Sequence, residues 1–138
     1  MANRVLDSWA LIAFFEDEPA ADEVEEILAQ GSREKHRLFL TSINWAEVYY
    51  STMREVSKDV AEEHAQVIAN LPIEIVGIGD DLKLARQAAI YKATYRLSLA
   101  DAFAAALAKE KKAELVTGDP EFKALEKEIK IHWLPTKP

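Results

Sequence analysis

Residues 97–122 read LSLADAFAAALAKEKKAELVTGDPEF, and this run decides the fold. Ser98 opens an alanine-rich helix that continues to about Lys111. Leu115-Val116-Thr117 then has the apolar, β-branched character of a short buried strand. Gly118-Asp119-Pro120 stops that strand, and proline suits the first turn of the short helix expected through Phe122 and Leu125. Helix, strand, acid, turn and helix in such close order is the grammar of a parallel α/β sheet.

The same grammar extends outward. Downstream, Ile129, Ile131 and Trp133 alternate as a last strand, and Pro135 to Pro138 reads as a frayed tail. Upstream, Asp80 or Asp81 caps a helix to about Tyr95, after a strand at Ile73–Val76 and a turn through Gly77 and Gly79. Apolar residues recur at helical spacing over Ile43–Val56 and Asp59–Asn70. Leu38-Phe39-Leu40 reads as a strand, preceded by a polar loop at Ser32–Arg37. Ala20–Gln30 reads as a helix with Gly31 as its carboxyl cap, and Trp9–Phe15 as a mostly buried helix. The first strand is Arg4-Val5-Leu6. The alternation predicts one α/β domain over residues 1–138, an α/β/α sandwich around a mostly parallel sheet of about five strands. In such sheets ligands bind beyond the carboxyl ends of the strands.

Composition narrows the function. The chain has 138 residues, 24 acids against 17 Lys and Arg, and a net charge of −7. That balance argues against a sequence-blind nucleic-acid coat protein, which needs excess cation to displace counterions. Seven of the acids lie between Glu16 and Glu26 with no cation among them, so the remaining 17 match the 17 bases. The acidic stretch is expected to form a solvated face away from any site. Without cysteine, thiolate metal sites and cysteine nucleophiles are excluded. Trp9–Phe15 is too short for a membrane span and no leader pattern precedes it, so a cytoplasmic protein is expected.

Acids stand at the predicted carboxyl ends of strands. Asp7 follows the first, Glu47 lies one helical turn past the second, and Asp119 follows Thr117-Gly118. Asp101 sits in the first turn of the alanine-rich helix, where Ala104, Ala105 and Ala108 leave space beside the carboxylate. Each acid also fits a cap: Asp7 or Ser8 before the first helix, Asn44 with Glu47, Ser98 with Asp101, and Asp119 before Pro120. Caps have no reason to converge, whereas a parallel sheet brings these positions to one edge. Two carboxylates ~5 Å apart there repel by about 3 kcal/mol at an effective dielectric of 20. A divalent cation turns that repulsion into binding, and clustered oxygens suit Mg²⁺ or Mn²⁺ rather than zinc.

The stretches VLDS at 5–8, TSINWAEV at 41–48, YRLSLADA at 95–102 and LVTGDPEF at 115–122 resemble the four signature stretches of PIN-domain ribonucleases. In particular they resemble VapC toxins of prokaryotic toxin–antitoxin pairs, in order, spacing and total length. The resemblance implies a Mg²⁺- or Mn²⁺-dependent endoribonuclease whose catalytic and metal-binding acids are Asp7, Glu47, Asp101 and Asp119. It gives Thr117 and Ser8 supporting roles, Thr117 by orienting a carboxylate. Trp9 departs from the small or polar residue that many relatives carry there. The resemblance further implies an RNA substrate, a cognate antitoxin protein and a homodimer, with no membrane. The apolar faces of Trp9–Phe15, Ala20–Gln30 and Ile43–Val56 suit an antitoxin helix laid between them.

Other chemistries find less support. His36, His64 and His132 are scattered without metal-ligand spacing, and no phosphate-cradling glycine motif occurs. Lys83, Arg86, Lys92 and Arg96 share one predicted helix, and Lys109, Lys111 and Lys112 end the next. They read either as a solvated face or as a phosphate-tracking rim beside the acids, with Arg86 and Arg96 the best candidates for gripping phosphate. A PIN-fold RNA-processing or structure-specific nuclease without a toxin role, and a catalytically silent interaction module, stand as the alternative functions.

Overall fold

The computed structural model describes residues 2–137. Its elements in chain order are β1 (Ala2–Leu6), α1 (Ser8–Phe15), α2 (Ala21–Ser32), β2 (His36–Thr41), α3 (Ser42–Glu55), α4 (Lys58–Ala69) and β3 (Ile73–Val76). There follow α5 (Lys83–Thr94), α6 (Leu99–Glu110), β4 (Glu114–Thr117), a 3₁₀ turn (Pro120–Leu125) and β5 (Ile131–Trp133). The five strands form one sheet in the order β3-β2-β1-β4-β5, and every pairing is parallel. Val5 lies between Phe39 and Leu115, so the central strand has neighbours on both sides.

Side-chain alternation divides the core in two. Val5, Phe39 and Leu115 point to the side covered by α5 and α6. Leu6, Leu38, Leu40 and Val116 point to the side covered by α1 to α4. Burial on both faces explains why these strands read as unbroken apolar runs. Helix α6 is itself buried from Asp101 to Ala108. Its alanines let it pack closely between α5, α3 and the sheet, as a helix apolar all round must.

Three element ends differ from the sequence expectation. Gly31 does not cap α2, because the helix continues to Ser32. A β-carbon on Gly31 would lie 2.7 Å from Leu38 Cδ1, so this glycine is there for close packing on β2. Helix α5 starts at Lys83, behind Leu82 in the left-handed conformation at φ 61°. Asp81 contributes by accepting from the Lys83 backbone N–H at 3.2 Å. His36 opens β2 instead of standing in the preceding loop. Before the tail, Leu134 N–H donates to Thr117 O at 2.8 Å, and within it Lys137 Nζ pairs with Glu18 at 2.9 Å. Pro138 lies outside the described residues.

Candidate active site

All five strands run the same way, so β1, β2 and β4 deliver their carboxyl ends to one edge. At the end of β1, Asp7 caps α1 by accepting from the Ala10 N–H at 2.9 Å. Its other oxygen accepts from the hydroxyl of Thr117, at the end of β4, at 2.5 Å. Thr117 Oγ1 in turn accepts from the Asp119 N–H at 3.0 Å. One hydroxyl therefore fixes Asp7 and the backbone of Asp119 together. Asp119 starts the 3₁₀ turn and accepts from the Glu121 N–H at 3.0 Å. Asp101 is held at the start of α6 by its N–H donating to Ser98 Oγ at 3.1 Å.

Three carboxylates meet: Asp101, Asp119 and Glu121 each offer an oxygen within 4.8 Å of the others. Asp7 and Glu47 stand outside that set but inside its field. Burial pushes the Asp101 carboxyl up to about 8, and the charges of Asp119, Asp7 and Glu47 push the same way. Asp7 is fully buried; desolvation raises it to about 7 despite the hydrogen bonds from Thr117 and Ala10, with Asp119 and Glu47 adding to the rise. Among the described residues no cation forms an ion pair with any of these five acids. The acids therefore crowd one another with no ion-pair partner among the described residues.

Ser8 is buried beside this set, but its hydroxyl forms no hydrogen bond to the acids among the described residues. Its hydroxyl accepts from Asn44 Nδ2 at 2.9 Å. Asn44 is fully buried, takes the Thr41 hydroxyl on its Oδ1, and reaches Ala100 O at 3.4 Å. It thereby links α1, α3 and the residue before Asp101. The expected capping box of Asn44 with Glu47 does not form, because α3 starts at Ser42 and its cap is Thr41. Glu47 is half-buried and accepts from Tyr50 Oη at 3.5 Å.

Sequence reasoning missed Glu121 and Asn44. Glu121 sits inside the quoted TGDPEF run, and the tight 3₁₀ turn brings it to Asp119. The sequence offers Asn44 only as a cap, although a buried amide between strand end and helix has several bonds to satisfy. Burial covers Asp101 down to 8% exposure, more than its alanine neighbours suggested. Lys109, Lys111 and Lys112 do not rim the acids. They line a cleft at the opposite end of the sheet, beside Ala2, Asn3 and Arg4. Arg86 and Arg96 are exposed on α5 and in the α5–α6 connection, and neither forms an ion pair among the described residues. Part of the acidic stretch also lies nearer the site than expected: Glu16 and Glu18 border a cleft that reaches Gly118.

With strand order, edge and acids in place, the family follows. The family model of the PIN domain matches residues 4–128. The chain belongs to the PIN-domain family. No curated protein sequence matches it. Solved structures share its fold at low identity. VapBC2 of Rickettsia felis, bound to a promoter DNA fragment, superposes with TM-score 0.72 at 16% identity, covering 96% of this chain and 99% of that one. A toxin–antitoxin complex from Klebsiella pneumoniae gives 0.72 at 18%, covering 97% and 99%. VapC20 of Mycobacterium tuberculosis, a sarcin–ricin-loop-cleaving toxin, gives 0.68 at 16%, covering 88% and 93%. This PIN domain is similar to them in fold over nearly its whole length. No helix in it is long and apolar enough to cross a membrane among the described residues.

Proposed function

We propose that this PIN domain is a divalent-metal-dependent endoribonuclease of the VapC type, the toxin of a toxin–antitoxin pair. The observation that carries the reading is the meeting of Asp101, Asp119 and Glu121 oxygens within 4.8 Å, with no ion-pair partner for any of them among the described residues. A set made only of carboxylate oxygens fits Mg²⁺ or Mn²⁺. Asp101, Asp119 and Glu121 would hold the ion, with Asp7 and Glu47 completing the negative field. When bound, such an ion lowers the pKa of an attacking water and draws charge from phosphoryl oxygens.

The chain's own residues do the rest. Thr117 fixes the Asp7 carboxylate and the backbone of Asp119 through one hydroxyl, which keeps both in place as charge changes around them. Asn44 holds α6 to α1 and α3, so Asp101 keeps its distance from Asp7. Asp101 retains its proton through neutral pH in the metal-free chain and must release it on binding. Substrate phosphates add negative charge at the same place, so the cation is needed to seat the scissile phosphate among the acids as well as to cleave it. An antitoxin would inhibit by covering this edge or by placing a cation among the acids.

The inert reading assigns these acids to caps, and the caps do form at Asp7, at Ser98 beside Asp101, and at Asp119. Capping explains each local bond and leaves the convergence unexplained. The test is cleavage of a panel of structured RNAs with Mg²⁺ or Mn²⁺, with and without EDTA. Wild type, Asp101→Asn, Asp119→Asn and Glu121→Gln are compared. Loss of cleavage in EDTA and in each variant supports the reading. Cleavage that survives chelation, or survives Asp101→Asn, sinks it.

A further inference from the structure

Beside the acids lies a cleft of about 640 Å³ that the catalytic reading leaves unused. One side is lined by α1 and the residue that caps it: Trp9, Ile12 and Glu16 recur at helical spacing. The other wall carries Pro120, Lys123 and Trp133. Its floor is continuous with the acid set, since Gly118 and Pro120, the two neighbours of Asp119, both line it. Trp9 marks the junction. A β-carbon on Gly118 would lie 2.2 Å from Trp9 Cη2, so the indole occupies the place of a side chain one residue from Asp119.

The lining has the chemistry of a stacking platform. Both indoles are half-buried, and Trp133 is fixed by its Nε1–H donating to Glu126 at 3.1 Å. Lys137 is already paired with Glu18 at 2.9 Å. Lys123 forms no ion pair among the described residues and is free to meet a phosphate at the mouth. Glu16, exposed on the same cleft, likewise has no ion-pair partner among them, and its carboxylate is free to accept from N–H groups on a base edge. The volume falls within the ~300–1,000 Å³ of small-molecule sites, ample for one base and its sugar.

We propose that this cleft is a nucleobase subsite: it takes one unstacked base of single-stranded RNA next to the scissile phosphate. The proposal rests on the nuclease reading for its biological setting, but the binding itself does not require metal. Trp9 and Trp133 supply stacking surface, Lys123 meets the adjoining phosphate, and Glu16 favours guanine, whose edge offers two adjacent N–H donors. Single-stranded RNA is read in this way, by aromatic stacking and base-edge hydrogen bonds.

The chain's three tryptophans make a direct test. The indole N–H resonances of the metal-free protein in EDTA are followed by ¹H–¹⁵N NMR, assigned with single Trp→Phe variants, during titration with GMP and with UMP. Trp45, stacked on Tyr49 at 5.4 Å on α3, is the internal control. GMP is expected to shift the Trp9 and Trp133 signals in a saturable way, to leave Trp45 in place, and to bind more tightly than UMP. Trp133→Leu and Lys123→Ala are expected to weaken GMP binding about fivefold or more, the low end for loss of a stacked aromatic. In cleavage they raise KM and leave kcat unchanged. If GMP moves no indole signal, or if neither variant changes GMP affinity or KM, the subsite is overturned. That is also the result expected if the cleft takes an apolar helix of a protein partner. Equal binding of GMP and UMP overturns the role of Glu16. Indole shifts without any RNA cleavage by the metal-loaded protein would leave the subsite standing and remove the nuclease reading.

Discussion

At Asp101 two demands meet. In the proposed metal site its carboxylate stays beside Asp119 and Glu121 to bind a cation, and without one it is crowded and desolvated. An aspartate in the unfolded chain titrates near 3.9. Folding raises Asp101 to about 8 and Asp7 to about 7. Between these limits the folded protein holds protons that the unfolded chain has already lost. Its metal-free stability is therefore complete below about pH 4 as far as these two groups are concerned, and falls as pH rises toward 8. At about 1.4 kcal/mol per unit, the loss is on the order of 4–6 kcal/mol for each group. Melts in EDTA should show Tm falling from pH 5 to pH 8. Asp101→Asn should flatten that slope and raise Tm at pH 8 by roughly 5 °C or more. The same variant should lose more cleavage than the ~10–100-fold that even outer-shell changes at metal sites cost. A variant that is both less stable in EDTA and active would return Asp101 to the role of a cap. That acids stand at the strand ends and helix starts was legible in the sequence, because strand ends and caps have local signals. Glu121 was not, because its approach to Asp119 depends on a 3₁₀ turn where an ordinary helix was expected.

Elements place the site through contacts that single residues do not announce. Gly118 is the tightest of them: β4, the 3₁₀ turn and α1 meet where Trp9 covers its α-carbon. Gly118→Ala forces the indole or the Thr117–Asp119 backbone to move, and overpacking of this kind costs about 1–3 kcal/mol. Cleavage should fall with stability, because Asp119 follows directly. Replacing Trp9 by leucine alone should cost less, and in the double variant much of the Gly118→Ala loss should vanish. A double-mutant cycle by denaturant unfolding should give a coupling of about 1 kcal/mol or more. Additive losses would show that Trp9 and Gly118 do not constrain each other. Helix interiors and strand runs were legible from period alone, whereas ends were set by packing. Gly31 reads as a stop, yet α2 runs through it to Ser32, and Leu38 packs against the place a side chain there would take. Leu82 gives no signal of a left-handed residue, and α5 starts behind it.

At the scale of the whole molecule, charge is distributed by function more than by total. The −7 net charge is legible in the sequence, but its placement is not, because that depends on which helix end faces which sheet edge. Lys109, Lys111 and Lys112 lie at the amino-terminal end of the sheet with Arg4 and Lys130, while the acids occupy the carboxyl edge. RNA held at the acid edge therefore meets few cations of this chain. Lys123 lines the adjacent cleft, and Arg86 and Arg96 are proposed to contribute from α5 and its connection to α6. Two or three phosphate contacts on a single strand give a slope of about −1.4 to −2.1 in log affinity against log salt. Binding of a non-cleavable single-stranded RNA to the Mg²⁺-loaded protein should thus weaken by roughly 20-fold or less between 50 and 200 mM salt. Lys123→Ala should make the slope shallower by about 0.7, and so should Arg96→Ala. Lys111→Ala and Lys112→Ala should leave it unchanged, since a substrate anchored at Asp101 and Asp119 does not reach the opposite end of α6, ~15 Å along the helix axis. A steep slope that the Lys111 and Lys112 variants reduce would mean that RNA wraps to the amino-terminal end of the sheet, and the path of the substrate would have to be redrawn around α6.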